Sequence, residues 1–148
     1  MAVGVATSTG PKAYLSRRYR VSASHRLHSE AYSAEENLAV YGKCNNPHGH
    51  GHNYAVEVTL GGRLNAETGM VCDLGELDEF ARIHLIERFD GMNLNTLDEF
   101  RDVVPTTENF TAEVYRIFQG FRGALVVRVR IEETGNNSFE IGDEFGRG

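Results

Sequence analysis

Between Gly49 and Leu60 the chain repeats with a period of two, and His52, Tyr54, Val56, Val58 and Leu60 fall on the same side. Successive side chains of a β-strand point to opposite faces, so this stretch must be a strand with one buried apolar face. The strand emerges from His48-Gly49-His50-Gly51-His52, which puts three imidazoles within five residues at the head of that face. A second alternating run covers Tyr14 to His25, with Tyr19, Val21, Ala23 and His25 on one side. It too ends in a histidine on the apolar face.

The rest of the chain supplies the layers around these strands. Residues 26–47 are polar and irregular, with a turn at Asn45-Asn46-Pro47. Gly61-Gly62 is predicted to end the strand that starts at Gly49, and a short strand is predicted over Gly69 to Cys72. Asp73 reads as a helix N-cap with Glu76 as its capping-box partner, opening a helix that reaches Phe89. Asp90-Gly91-Met92-Asn93 breaks it. Pro105-Thr106 opens a second helix, with Phe110, Val114, Ile117 and Phe118 on one stripe, and Gly120 and Gly123 stop it. A strand follows from Leu125 to Glu133, with Leu125, Val127, Val129 and Ile131 facing one way. Gly135-Asn136-Asn137 then turns the chain into a last strand, Phe139 to Ile141. The pattern predicts one α+β domain over residues 14–142: a four-stranded antiparallel sheet with two helices on one face. Residues 1–13 and 143–148 read as flexible tails.

Composition narrows the classes of partner. The net charge is −6, so no overall basic field favours nucleic acid, and Arg17-Arg18-Tyr19-Arg20 reads as a solvated strand edge. No apolar run approaches the roughly 20 residues of a membrane span. The first eleven residues lack the apolar core of a signal peptide. Two cysteines, Cys44 and Cys72, make no disulfide framework. A reduced, cytoplasmic protein is expected.

The histidines carry the chemistry. Side chains two apart on a strand sit roughly 6.5–7 Å apart at Cα, within reach of one ion, whereas residues four apart are roughly 13 Å apart. The local triplet therefore supplies two ligands to a divalent metal, most simply zinc, and another strand supplies a third. His25 is the natural partner by parity. Three protein ligands leave a position open for substrate, as in catalytic zinc sites. The interleaved glycines remove side chains where a ligand must approach closely. His28 reads as a loop residue and His84 as a partly buried structural histidine.

Cys44 lies just before the metal motif. A thiol there can act as a base or nucleophile, or serve as a fourth ligand. Cys72 reads as packing. Glu133 shares the parity of Val129 and Ile131: either it is a half-buried carboxylate needing N–H donors, such as the edge of a guanidine-like heterocycle, or the strand ends before it.

The run Cys44-Asn-Asn-Pro-His-Gly-His50-Gly-His52-Asn-Tyr54 resembles the signature of the 6-pyruvoyl-tetrahydropterin synthase family. Supporting pieces occur in order: Ser24-His25-Arg26-Leu27, Thr68-Gly69-Met70-Val71, Phe89-Asp90 with Asn93-Leu94, Thr106-Thr107-Glu108-Asn109, and Glu133-Thr134. The resemblance implies the tunnelling fold, in which three subunits close a barrel and two trimers form a hexamer with active sites between subunits. It implies zinc held by His25, His50 and His52, with Cys44 as catalytic base, Glu133 as pterin anchor and Thr106 and Thr107 lining the pterin pocket. The implied substrate is 7,8-dihydroneopterin triphosphate, converted to 6-pyruvoyl-tetrahydropterin by elimination of triphosphate.

One position departs from the family pattern. The family's Asp-His pair, which completes a relay with the cysteine, reads Asp90-Gly91 here. Asp90 keeps the implied catalytic position, and glycine cannot move a proton. Two other readings stay open beside the first. One is a 6-carboxy-tetrahydropterin synthase of the queuosine pathway, acting on the same substrate. The other is a zinc- and pterin-binding homologue with impaired catalysis.

Overall fold

A computed structural model of the protein describes residues 10–142. Its centre is a five-stranded sheet in the order β3-β1-β2-β4-β5. The long strands are β1 (Lys12–His25) and β2 (His50–Arg63), followed by β4 (Leu125–Thr134) and β5 (Asn137–Gly142). All three of their pairings are antiparallel. The fifth strand, β3 (Met92–Asn93), pairs parallel with Ala23 and Ser24 of β1, so the sheet is mixed, not the four-stranded antiparallel sheet expected. Two residues carry no readable alternation, which is why β3 is invisible in the sequence. Lys12 and Ala13, expected in the N-terminal tail, belong to β1. The remainder of both expected tails, apart from residues 10 and 11, lies outside the described residues.

Helices cover one face of the sheet. Helix α2 (Leu74–Ala81) starts at Asp73, whose carboxylate accepts from Gly75 N at 2.7 Å and Glu76 N at 3.2 Å. It continues through a π-helical turn (Arg82–Ile86) into α3 (Glu87–Phe89). Helix α4 (Thr107–Phe118) is capped by Thr106, whose hydroxyl accepts from Asn109 N at 3.1 Å. Leu77, Ala81, Leu85 and Phe89 from α2–α3, and Phe110, Val114 and Phe118 from α4, pack against Val21, Tyr54, Val56, Val58, Leu60 and Ile131 of the sheet. Such burial contributes about 1.5–3 kcal/mol per large side chain. On the opposite face Glu57 lies between Arg18 and Arg130, its register partners on the two flanking strands.

Several local expectations are corrected. Residues 26–47 contain a helix, α1 (Ala34–Tyr41), opened by a complete Ser33/Glu36 capping box. It buries only Asn37, so it has no apolar stripe to betray it. The Asn37 amide instead ties the preceding loop, donating to Ser29 O and accepting from Ser29 N. Gly61-Gly62 does not end β2. A Cβ on Gly61 would sit 3.0 Å from the Tyr14 ring, so glycine here lets the neighbouring strand pack closely. Residues 69–72 form no strand; the Asn65 side chain instead accepts from Glu67 N and Thr68 N to close a turn.

The parity expected for β4 also fails at its start. The β2–β4 register shifts between Thr59 and Leu60, leaving Val127 as an extra residue. A bulge of this kind reverses the faces on one side of it. Leu125 is therefore exposed and Val126 buried, while Val129 and Ile131 keep the inward parity. Arg17, expected to be solvated, pairs with Asp78 of α2 at 2.8 Å, and the Tyr19 hydroxyl donates to the same carboxylate.

Candidate metal centre

The register of β1 and β2 builds the site. His25 lies directly opposite His50, and Ala23 opposite His52. Opposed residues share a face, and so do residues two apart, so all three imidazoles project to the helix-covered side. Their ring centroids are 4.7, 4.8 and 5.0 Å apart. One ring nitrogen from each lies within 4.8 Å of the others. The tight approach needs Gly49, whose φ is +68° and whose Cβ would stand 2.9 Å from the His25 carbonyl oxygen. His48 is exposed on the turn before the strand.

The donor set fits a metal ion. Pro105 O lies 2.8 Å from His25 Nδ1, and a carbonyl can only accept, so His25 carries its proton on Nδ1. Its Nε2 lone pair then faces His50 Nε2 at 3.1 Å. Two nitrogens bound tetrahedrally to one zinc lie about 3.3–3.4 Å apart, given Zn–N bonds of about 2.0–2.1 Å. His52 Nε2 is buried and has no hydrogen-bond partner. A buried imidazole nitrogen is rarely left so; a cation at the centre of the triangle would satisfy all three. Burial lowers the pKa of His25 and His52, keeping both rings neutral and their lone pairs available.

A carboxylate stands beside this triangle. The β4–β5 register shifts between Glu132 and Thr134, so Glu133 sits at a bulge that re-aims its side chain. Thr107, buried at the first turn of α4, donates its hydroxyl to Glu133 Oε2. Glu133 is half-buried, and its field reaches His25, His52, Cys44 and Tyr54. Thr106 is occupied as the α4 cap.

Cys44 lies on a 3-10 turn (Gly42–Asn45) after α1, and its carbonyl accepts from Leu27 N at 2.8 Å. The Asn45 amide steadies the same corner, donating to Leu27 O at 2.8 Å. In the metal-free protein, burial pushes the Cys44 thiol up and Glu133 pushes it further. Asp90 stands elsewhere: its carboxylate accepts from Ser22 N at 2.8 Å, where α3 meets β3. Gly91 follows with φ +75° and donates its N–H to Ser22 O at 2.6 Å. Asp90 is not among the groups that perturb Cys44.

Two participants went unnoticed in the sequence. The Tyr54 hydroxyl lies 3.3 Å from His25 Nδ1. Its position two residues after His52 on the apolar face was readable, but apolar parity suggested packing alone. The Pro105 carbonyl has no sequence signature. His84, expected to be partly buried, is exposed and rests against the Phe80 ring, with centroids 4.4 Å apart.

Comparison with known proteins adds an independent line. Residues 14–144 match the family model described as 6-pyruvoyl tetrahydropterin synthase. A human protein named 6-pyruvoyl tetrahydrobiopterin synthase is 44% identical over 128 residues, 85% of this chain and 88% of that protein. A Drosophila melanogaster protein of the same name is 43% identical, over 88% of this chain and 79% of that protein. The solved structure of Caenorhabditis elegans 6-pyruvoyl tetrahydropterin synthase superposes with a TM-score of 0.86 at 36% identity, covering 90% of this chain and 96% of that one.

Proposed function

Because this chain belongs to the 6-pyruvoyl tetrahydropterin synthase family, we propose that it converts 7,8-dihydroneopterin triphosphate to 6-pyruvoyl-tetrahydropterin, eliminating triphosphate and using zinc held by His25, His50 and His52. The observation that carries this reading is the convergence of three imidazoles beside a bulge-aimed carboxylate, within the field of which lies a thiol. The reaction is redox-neutral: the atoms of the substrate equal those of product plus triphosphate.

Each residue has a role in this reading. Glu133 accepts N–H groups from the pterin edge, held in orientation by Thr107. Thr106 fixes the first turn of α4, on which both Thr107 and the Pro105 carbonyl depend. That carbonyl holds His25 in the tautomer that presents Nε2. Cys44 moves a proton on the substrate side chain. The chemistry zinc supplies when bound is Lewis acidity toward the side-chain hydroxyls. Asp90 is proposed to assist from its pinned position at Ser22, without the histidine that follows it in the family pattern. A homohexamer and a cytoplasmic location are proposed on the same ground. Among the described residues no helix is long and apolar enough to cross a membrane.

The test is to incubate the zinc-loaded protein anaerobically with 7,8-dihydroneopterin triphosphate and identify the products by mass spectrometry. A 6-pyruvoyl product with inorganic triphosphate supports the reading. A 6-carboxy product with acetaldehyde replaces it with the queuosine-pathway activity, and tight pterin binding without turnover replaces it with a binding role.

A further inference from the structure

Cys44 sits on a part of the chain that apolar packing does not hold. Among residues 26–49 only Asn37 is buried, and no hydrophobic side chain of this stretch packs against the core. A segment with few buried apolar contacts opens at low free energy unless other bonds fix it. The histidine triangle is the reverse case, its ligands standing on the paired strands β1 and β2. A proton carrier and a metal centre that act on one substrate must keep their separation, because a misplacement of about 1 Å can lower turnover by about a hundredfold.

The Cys44 turn is fixed instead by hydrogen bonds centred on Asn45. Leu27 O only accepts, so the Asn45 group 2.8 Å from it is the amide nitrogen. The same nitrogen lies 3.0 Å from His28 Nδ1 and has a second N–H to donate. His28 therefore accepts there and carries its proton on Nε2, which faces Glu30 Oε1 at 3.6 Å. Two further bonds join the same segments: Leu27 N donates to Cys44 O at 2.8 Å, and Arg26 Nε donates to Asn45 O at 3.2 Å. Arg26 is itself clamped, its N–H donating to Asn95 Oδ1 at 2.6 Å and its carbonyl accepting from Asn95 Nδ2 at 2.8 Å. Residues 26–28 follow His25 directly, so they form a short strut from a metal ligand to the Cys44 turn.

We propose that Asn45, anchored on Leu27 O and His28 Nδ1, is a positioning residue that holds Cys44 in place relative to the histidine triangle. The proposal rests on reading Cys44 as the proton carrier of the proposed reaction. Its effect falls on kcat, because the three imidazoles and Glu133 stand on β1, β2 and β4, outside this stretch. The competing account is that Asn45 closes a surface turn with no bearing on Cys44.

Three readouts on the zinc-loaded full chain and its Asn45→Ala variant separate the two accounts. They are steady-state turnover of 7,8-dihydroneopterin triphosphate, the visible bands of the cobalt(II) form, and the rate at which iodoacetamide alkylates Cys44, followed by mass spectrometry of its peptide. Asn45→Ala should lower kcat by about tenfold to a hundredfold with KM little changed. The cobalt bands should stay as they are. Cys44 alkylation should speed up, because a loosened turn exposes a thiol that is partly buried in the wild type. In a Cys44→Ala background Asn45→Ala should lower kcat no further. An equal fold-loss in that background, a rise in KM at constant kcat, altered cobalt bands or an unchanged alkylation rate each overturns the proposal. If Asn45→Ala does not fold, by thermal melting, His28→Ala removes one of the two anchors and decides by the same readouts. Failure of the unmodified chain to turn over substrate overturns the proposed function. The alkylation rates then decide the tether alone: a faster rate in the variant supports it, and an unchanged rate overturns it.

Discussion

His25 and His50 face each other across β1 and β2 as register partners, with their Nε2 atoms 3.1 Å apart and the far nitrogen of His25 held by Pro105 O. The pair is built by strand register and one backbone carbonyl, and His52 closes the triangle from two residues along.

Metal content should follow this triangle. His25→Ala, His50→Ala and His52→Ala should each lose bound zinc by elemental analysis, whereas His48→Ala, on the exposed turn, should keep it. Zinc at about a hundred times its dissociation constant adds about 2.7 kcal/mol to stability, raising Tm by roughly 5–10 °C over the stripped protein. Zinc loss in His48→Ala would reassign the ligands.

Acid should destabilise the metal-free protein. His25 and His52 have pKa values lowered by burial from the usual 6.5, so below that pH the unfolded chain binds more protons than the folded one. The stability is therefore present above about pH 6.5 and lost as pH falls below it. Thermal melts in chelator should show Tm dropping between pH 7.5 and 5.5. The drop should shrink in a variant with both histidines replaced by glutamine; an equal drop would place its origin elsewhere.

Cys44→Ala should reduce turnover by about 10²–10⁴-fold, the usual contribution of a proton-transfer group. Its zinc content should stay unchanged, because the three imidazoles converge without the thiol. A variant that loses zinc instead would make Cys44 a ligand.

Gly91→His tests the missing half of the Asp-His pair. No atom outside its chain neighbours lies within 4 Å of a Cβ built at Gly91, so an imidazole has room. The φ of +75° is left-handed and costs roughly 1–2 kcal/mol for a non-glycine residue. The variant should melt a few degrees lower and turn over faster. An unchanged rate in a folded variant would mean the glycine does not limit catalysis.

What was legible in the sequence was whatever the backbone enforces locally. Period-two alternation placed His25, His52 and Tyr54 on the buried face, because adjacent side chains of a strand must point oppositely. Asp73 and Thr106 announced their helices because a side-chain oxygen must satisfy the first free N–H groups. Helix α1 had the same signal at Ser33 and Glu36, but without an apolar stripe it read as loop.

The tertiary structure decided everything that depends on which strand meets which residue. The sequence suggested that His25 joins the cluster, but only pairing over 25 residues puts it opposite His50. The bulge that turns Leu125 outward lies in the ladder between β4 and the distant β2, and the one that re-aims Glu133 lies in the ladder between β4 and β5; neither follows from alternation along β4 alone. The Pro105 carbonyl that fixes the tautomer of His25 belongs to the main chain, which every residue shares. Alternation is a property of one strand and can be read from it. Register, bulges and the identity of a carbonyl's partner are properties of contacts between distant segments, settled only when the whole core packs.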